Sequence, residues 1–149
     1  MKTVKKYHLS IIIIFIWIGF LCSISFMEAW LKFTASGVTL PIGLSIGKLV
    51  FNSLTKVEWV FILIMFFNFY IGNDRYKQLK VLFLVVLGCL TIQSLWILPL
   101  LNERANLIIA GKELNVTYHH LYYVILEIIK VLCLLILGIK LLKTQDHGN

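Results

Sequence analysis

Apolar residues occur in four long segments of this chain, and most of the charged residues gather at one end of each segment. The segments cover residues 10–33, 56–72, 81–101 and 120–142. Each is close to the length of about 20 residues that crosses the hydrocarbon core of a bilayer. Because backbone polar groups in lipid must be hydrogen-bonded within their own segment, each segment is predicted to form a helix. The pattern predicts an all-α fold, an integral membrane four-helix bundle that forms a single domain over residues 1–149.

The stretch before the second segment also has the character of a helix. Pro41 follows the turn signal Gly-Val-Thr-Leu and suits the first turn of a helix. After it, Ser45, Lys48 and Asn52 lie on one face of a helical wheel, with glycines on the opposite side. Two interpretations stay open. Residues 41–55 form a half-helix folded against the bundle, or the second helix begins near Pro41 and exceeds the membrane thickness.

Composition places the chain in the membrane class. The 149 residues are 60% hydrophobic and only 14% charged, with a mean hydropathy of +0.91. A water-soluble domain of this size cannot bury so much apolar surface, because small globules keep a large exposed fraction. The net charge of +7 comes without a basic run interleaved with stacking aromatics, so no nucleic-acid partner is expected. The positive charge is interpreted as loop charge that meets the lipid bilayer.

The Lys and Arg residues are divided unequally between the two ends of the predicted bundle. Five lie at the end that holds the charged cluster. Eight lie at the other end, together with both termini: Lys2, Lys5, Lys6, Arg75, Lys77, Lys80, Lys140 and Lys143. The positive-inside rule therefore predicts a multi-pass protein of the bacterial cytoplasmic (inner) membrane, with N- and C-termini in the cytoplasm. The first segment lacks a clear small-x-small cleavage site and is interpreted as a retained anchor.

The charged ends of the four segments meet if the helices are antiparallel. Five residues that open the fourth segment fall within about 100° on an ideal helical wheel: His119, His120, Tyr123, Glu127 and Lys130. Charge inside a bilayer is costly, so such a cluster is a functional-site hypothesis. We predict a polar, partly hydrated pocket for a ligand or a proton in the outer half of the bundle. Its residues are Glu28, Lys32, Lys48, Asn52, Glu103, His119, His120, Tyr123, Glu127 and Lys130.

A purely structural interpretation competes with this pocket. Lys32 and Arg104 lie at segment ends, where basic side chains typically anchor a helix at the membrane interface. Glu127 and Lys130 lie too deep for that role. Buried ion pairing that fixes the register of the helices is the structural account of these two residues.

The leading functional hypothesis is the binding or permeation of a small polar or anionic species, or of protons. Lys32 and Lys48 would attract an anion. His119 and Glu127 would exchange protons, because histidine titrates near physiological pH. No nucleophile–base pair or phosphate-binding glycine loop is present in the sequence, so a role without catalysis is favoured over an enzyme.

Two alternatives come from other functional classes. The first is a haem- or quinone-dependent membrane oxidoreductase, with His119 or His120 as a ligand. Haem is disfavoured because the other two histidines of the sequence lie at the opposite end, and no cofactor is expected. No metal is expected either, because the Glu-x-x-His spacing of di-iron bundles is absent. The second alternative is a structural module, in which Gly43 and Gly47 form a docking face for a second copy of the chain.

Several short motifs together resemble a known family. They are Gly-Lys-Leu-Val-Phe at 47–51, Leu-Pro-Leu-Leu-Asn at 98–102 after the third segment, and Tyr-His-His-Leu at 118–121. The chain resembles the small four-span bacterial membrane proteins that carry an uncharacterised domain shared with a eukaryotic transmembrane-protein family. The resemblance implies a four-helix membrane bundle, and it implies no particular activity.

Overall fold

A computed structural model describes residues 8–70, 77–115 and 117–146 of the protein. These residues form four long helices: α1 (His8–Thr34), α2 (Leu40–Tyr70), α3 (residues 77–109) and α4 (His119–Asp146). The predicted all-α fold is therefore confirmed. The connection between α2 and α3 at residues 71–76 lies outside the described residues, as do four of the basic residues used to predict orientation: Lys2, Lys5, Lys6 and Arg75.

The second helix is one continuous element. It begins at Leu40 and runs for 31 residues to Tyr70, which at 1.5 Å per residue is about 46 Å. A hydrocarbon core is only about 30 Å thick. Pro41 is its second residue, where the missing N–H breaks no helical hydrogen bond. Of the two interpretations left open by the sequence, the structure contains the long second helix, and Glu58 consequently lies near its middle.

Two of the helices contain a π-helical turn. The turns span Cys22–Glu28 in α1 and Gln93–Ile97 in α3. Each is marked by a backbone bond to the fifth residue before it, from Ala29 to the Ile24 carbonyl and from Leu98 to the Gln93 carbonyl. A π turn inserts one residue, so the side chains that follow it fall about 100° behind their positions in an unbroken α-helix. The helical faces predicted from the sequence therefore change beyond these turns.

The four helices pack in a ring. The fourth helix packs along α1 and the first half of α3, while α2 packs along α1 and the second half of α3. Aliphatic and aromatic side chains fill the larger part of the interior, among them Ile14, Trp17, Leu21, Met65 and Leu90. A smaller cluster of Ile97, Leu98 and Tyr123 lies toward the end where α4 begins.

The distribution of side chains is the reverse of that in a water-soluble protein, because charged groups are buried and large apolar groups are exposed. Glu127 and Lys130 have no exposed surface, whereas Leu95 is 74% exposed and Trp96 is 68% exposed. Buried charge and a broad apolar exterior are both unfavourable in water and both expected in lipid. Within the described residues, three helical stretches are long and apolar enough to cross a membrane: His8–Thr34, Leu40–Asn68 and Leu79–Ile109. The chain thus has the construction of a membrane protein.

Candidate functional site

Polar side chains inside the bundle form two groups at different depths. The outer group surrounds a cavity of about 260 Å³, hereafter the cavity, at the end where α1 finishes and α4 begins. Its walls are mainly apolar, and its polar lining comes from five residues: Lys32, Lys48, Asn102, His120 and Tyr123. The inner group is an ion cluster near the middle of the helices. The two groups differ in how their charges are balanced.

Lys32 enters the cavity with its charge already neutralised. Its Nζ donates to both carboxylate oxygens of Glu28, at 3.2 and 3.1 Å, in an i, i+4 pair with the carboxylate on the N-terminal side. The same Nζ lies 5.4 Å from the ring centroid of Phe33 and 5.6 Å from that of Phe51. Such distances give a favourable cation–π contact. Glu28 and Lys32 together therefore add no net charge to the cavity.

Lys48, by contrast, is held by a neutral group. Its Nζ donates to Asn106 Oδ1 at 2.7 Å, and no carboxylate of the described residues pairs with it. Beside it, Asn52 and Asn102 exchange amide hydrogen bonds of 3.3 and 3.2 Å that join α2 to α3. Asn52 Nδ2 also lies 2.5 Å from the Lys48 carbonyl oxygen. The cavity consequently carries a positive charge that its own walls do not compensate.

The ion cluster receives a residue from every helix. It consists of Trp17 from α1, Glu58 from α2, Gln93 from α3, and Glu127 and Lys130 from α4. Lys130 Nζ forms an ion pair with Glu58 Oε1 and lies 3.2 Å from Glu127 Oε1. Trp17 Nε1 donates to Glu58 Oε1 at 3.0 Å, and Gln93 Nε2 donates to Glu127 Oε1 at 3.1 Å. All four helices are thereby joined through one ammonium group.

Lys130 contacts only the Oε1 atom of each carboxylate, here called the inner oxygen, and the outer oxygen Oε2 lacks a hydrogen-bond partner among the described residues. Glu58 Oε2, Glu127 Oε2 and Gln93 Oε1 are all buried, and none has a hydrogen-bond partner within the described part of the chain. Buried polar atoms in folded proteins are nearly always hydrogen-bonded, so such a concentration at one place needs an explanation. These unpartnered oxygens indicate that the cluster could bind a further proton.

Tyr123 connects the cavity with the ion cluster. Its side chain lines the cavity and packs edge-to-face on Phe51, with ring centroids 5.4 Å apart. Its carbonyl oxygen accepts a hydrogen bond of 3.1 Å from Gln93 Nε2. The hydroxyl lies close to Glu127, although no described residue completes a well-oriented hydrogen bond to it. Tyr123 therefore lies between the cavity and the ion cluster.

Eight of the ten predicted site residues belong to one of these two groups or bond to it, and His119 and Glu103 do not. Lys32, Lys48, His120 and Tyr123 line the cavity, while Glu127 and Lys130 belong to the cluster. Glu28 and Asn52 do not line the cavity themselves, but they hydrogen-bond to Lys32 and Asn102, which do. His119 is half-buried, with a buried Nδ1 that has no partner among the described residues, and it does not line the cavity.

Glu103 lies outside the cavity, because its side chain is exposed and is not part of the lining. In an unbroken α-helix Glu103 would lie about 80° from Gln93 around the axis. The π turn at Gln93–Ile97 adds one residue and moves Glu103 to about 180°, on the opposite side. Asn102 takes the inward position instead.

Three residues of the cluster were not assigned to the predicted pocket: Trp17, Glu58 and Gln93. A second segment that begins at residue 56 puts Glu58 at the end of its helix, near the membrane interface. Continuing the helix back to Pro41 would have moved Glu58 to mid-membrane depth. Gln93 carries a clear signal, since a lone amide within an apolar segment needs an internal partner.

The glycine face of α2 is covered within the chain itself. Gly43 and Gly47 are buried, and a Cβ atom on Gly43 would lie 2.1 Å from the Phe33 ring. A Cβ atom on Gly47 would lie 3.0 Å from Lys32 Nζ. The small residues therefore serve the contact between α1 and α2, and the surface considered for docking of a second copy is occupied by α1 of the same molecule.

Comparison with other proteins adds no assignment. No family model matches the chain, and neither a curated protein nor a solved structure matches it. The resemblance to the four-span bacterial proteins therefore stays a prediction. Within the described residues, no three His, Cys, Asp or Glu side chains are grouped as ligands for a metal ion.

Proposed function

We propose that the protein is a four-span protein of a bacterial cytoplasmic membrane that binds a small amphipathic anion in the cavity. In this proposal α4 is the fourth span, since it packs along α1 and α3, which are both long enough to cross a bilayer. Its outward side chains are apolar, for example Leu132 and Ile136, as lipid contact requires. The excess of Lys and Arg at the opposite end supports a topology with both termini in the cytoplasm and the cavity in the outer half of the membrane.

Thiol labelling tests this orientation. In a background without native cysteines, Lys112→Cys in the connection between α3 and α4 is expected to react with a membrane-impermeant maleimide in intact spheroplasts. Lys143→Cys near the end of α4 is expected to react only after the membrane is permeabilised. Both lysines are exposed, so the membrane alone decides their access. The reverse labelling pattern would place the termini outside and contradict the proposed topology.

The observation that carries the proposed ligand chemistry is the uncompensated charge of Lys48 beside mainly apolar walls. An apolar body would fill the cavity against Phe33, Leu44 and Leu101, while an anionic group would replace Asn106 as the partner of Lys48. The volume of about 260 Å³ lies just below the range of about 300–1,000 Å³ that is typical of ligand pockets, so it suits a small ligand or one chain of a larger one. His120 at the same wall offers a further donor to the anion.

Binding of dodecyl phosphate to the purified protein in lipid nanodiscs tests the proposal. Lys48→Gln is expected to weaken binding by about 10–100-fold, because a hydrogen bond to a charged group contributes about 1.5–3 kcal/mol. Isothermal titration calorimetry measures the change. Lys56→Gln is the matched control, since Lys56 is an exposed lysine on the same helix that does not line the cavity. We expect it to bind as the unmodified protein does.

Two further probes separate the parts of the ligand. Dodecanol lacks the anionic group and inorganic phosphate lacks the apolar chain, so both are expected to bind at least tenfold more weakly than dodecyl phosphate. Equal binding of dodecanol would contradict the role of Lys48. Equal binding of inorganic phosphate would contradict the role of the apolar walls.

A further inference from the structure

The charges of the ion cluster do not sum to zero when every group is ionised. Glu58 and Glu127 supply two carboxylates, and Lys130 supplies one ammonium. No other ion pair of the described residues reaches them. Full ionisation would leave one uncompensated negative charge among side chains that are 0–1% exposed. An unpaired charge in so apolar a place is strongly unfavourable, and the common escape is to bind a proton.

We propose that Glu58 and Glu127 form a binding site for a single proton, which they share across Lys130. The proton neutralises the cluster without breaking either contact to Lys130, because Lys130 uses the inner oxygen Oε1 of each carboxylate. Both outer oxygens, Oε2, are buried and have no partner among the described residues. A proton on one of them converts an unsatisfied acceptor into a hydrogen-bond donor.

The groups that face the cluster from each helix are compatible with one bound proton. Trp17 of α1 donates to Glu58, and Thr55 of α2 is already bonded to the Phe51 carbonyl. From α3, Cys89 adds a buried thiol near the cluster and Gln93 brings the unpartnered acceptor Oε1. From α4, Tyr123 adds its hydroxyl close to Glu127. These neighbours supply hydrogen-bonding groups and no second cation.

Tyr123 lies between the proton site and the cavity. Its hydroxyl lies close to Glu127, and its ring lines the cavity. Of the described groups that face the carboxylate pair, Tyr123 is therefore the one whose side chain also reaches the cavity. The site itself does not depend on the proposed anion, because it rests on the ion cluster alone.

Infrared spectroscopy of the protein in lipid vesicles tests the site directly, because a protonated carboxyl group has a carbonyl stretch distinct from that of a carboxylate. At neutral pH the unmodified protein is expected to show absorption from one buried carboxylic acid. Glu58→Gln and Glu127→Gln are each expected to abolish it, because either change leaves one carboxylate balanced by Lys130. Lys130→Met is expected to double it, because both carboxyl groups must then be neutral.

Glu113→Gln is the matched control, since it removes an exposed carboxylate in the connection between α3 and α4, and we expect it to leave the absorption unchanged. Helix content from circular dichroism confirms that each variant is folded. The near-isosteric glutamine variants decide the matter even if Lys130→Met does not fold. Absorption that survives either glutamine substitution overturns the shared proton, as does its absence from the unmodified protein.

Discussion

Lys130→Met is expected to lower the free energy of unfolding by about 3–5 kcal/mol, the usual cost of breaking a buried ion pair by removing one partner. The substitution keeps most of the side-chain volume but leaves Glu58 and Glu127 without the cation that holds them together. Both carboxyl groups must then bind a proton to stay buried, and the hydrogen bonds from Trp17 and Gln93 cannot replace the lost ion pairs. Reversible unfolding in mixed micelles, followed by tryptophan fluorescence, measures the change.

Two further variants show whether the loss comes from charge. Lys143→Met removes an exposed lysine from the last turn of the same helix, and we expect a change below about 1 kcal/mol. The triple variant Glu58→Gln, Glu127→Gln, Lys130→Met removes all three charges and keeps acceptors for Trp17 and Gln93. It is expected to recover most of the stability, since neutral replacement of a buried ionic group is often tolerated. A Lys130→Met variant as stable as Lys143→Met would contradict the cluster.

The helices could be predicted from the sequence because apolar length alone requires them in lipid. The start of α2 could not be fixed, because the helical pattern of residues 41–55 fits a separate half-helix folded against the bundle as well as it fits one continuous helix. The predicted position of Glu58 depends on this start. Glu58 lies at a membrane interface if the helix begins at 56 and near the middle of the helix if it begins at Leu40. The predicted start of one helix thus decides whether Glu58 is assigned to the membrane interface or to the ion cluster.

The candidate site could be predicted best on α4. This helix is unbroken from His119 to Asp146, so ideal geometry correctly places Tyr123, Glu127 and Lys130 on one inward face. On α3 the same geometry failed at Glu103, because a π turn has no reliable signature in a single sequence. Which helix supplies the partner of each charge was also beyond the sequence, since it depends on how far each helix is rotated about its axis.

The ion cluster gives a physical reason for those rotations. Lipid is as apolar as leucine, so burying leucine between helices gains little in a membrane, and polar contacts carry more of the specificity. Trp17, Glu58 and Gln93 each turn one helix toward α4, where Glu127 and Lys130 lie one turn apart. The cluster therefore fixes how the helices are rotated against one another, in addition to being a candidate proton site. Trp17 belongs to the first role, because its hydrogen bond to Glu58 links α1 to the cluster.

Trp17→Ala is expected to destabilise the fold by about 2–4 kcal/mol. Trp17 is fully buried, packs on Phe61 with ring centroids 5.8 Å apart, and donates to Glu58. In a soluble protein this truncation costs about 3–5 kcal/mol. Part of that cost is transfer of apolar surface to water, which unfolding within a micelle avoids, so we expect a somewhat smaller loss. The same mixed-micelle unfolding experiment measures it.

Trp17→Phe separates packing from hydrogen bonding at this position. It keeps most of the ring volume and removes the Nε1–H donor, while Lys130 remains on the same Glu58 oxygen. We therefore expect a loss of only about 1 kcal/mol. Trp30→Ala is the control, because Trp30 is 59% exposed at the cavity end of α1 and truncating it leaves no internal void. If Trp17→Phe were as damaging as Trp17→Ala, the hydrogen bond to Glu58 would dominate. If both resembled Trp30→Ala, Trp17 would not be part of the register, and the rotation of α1 would require another cause.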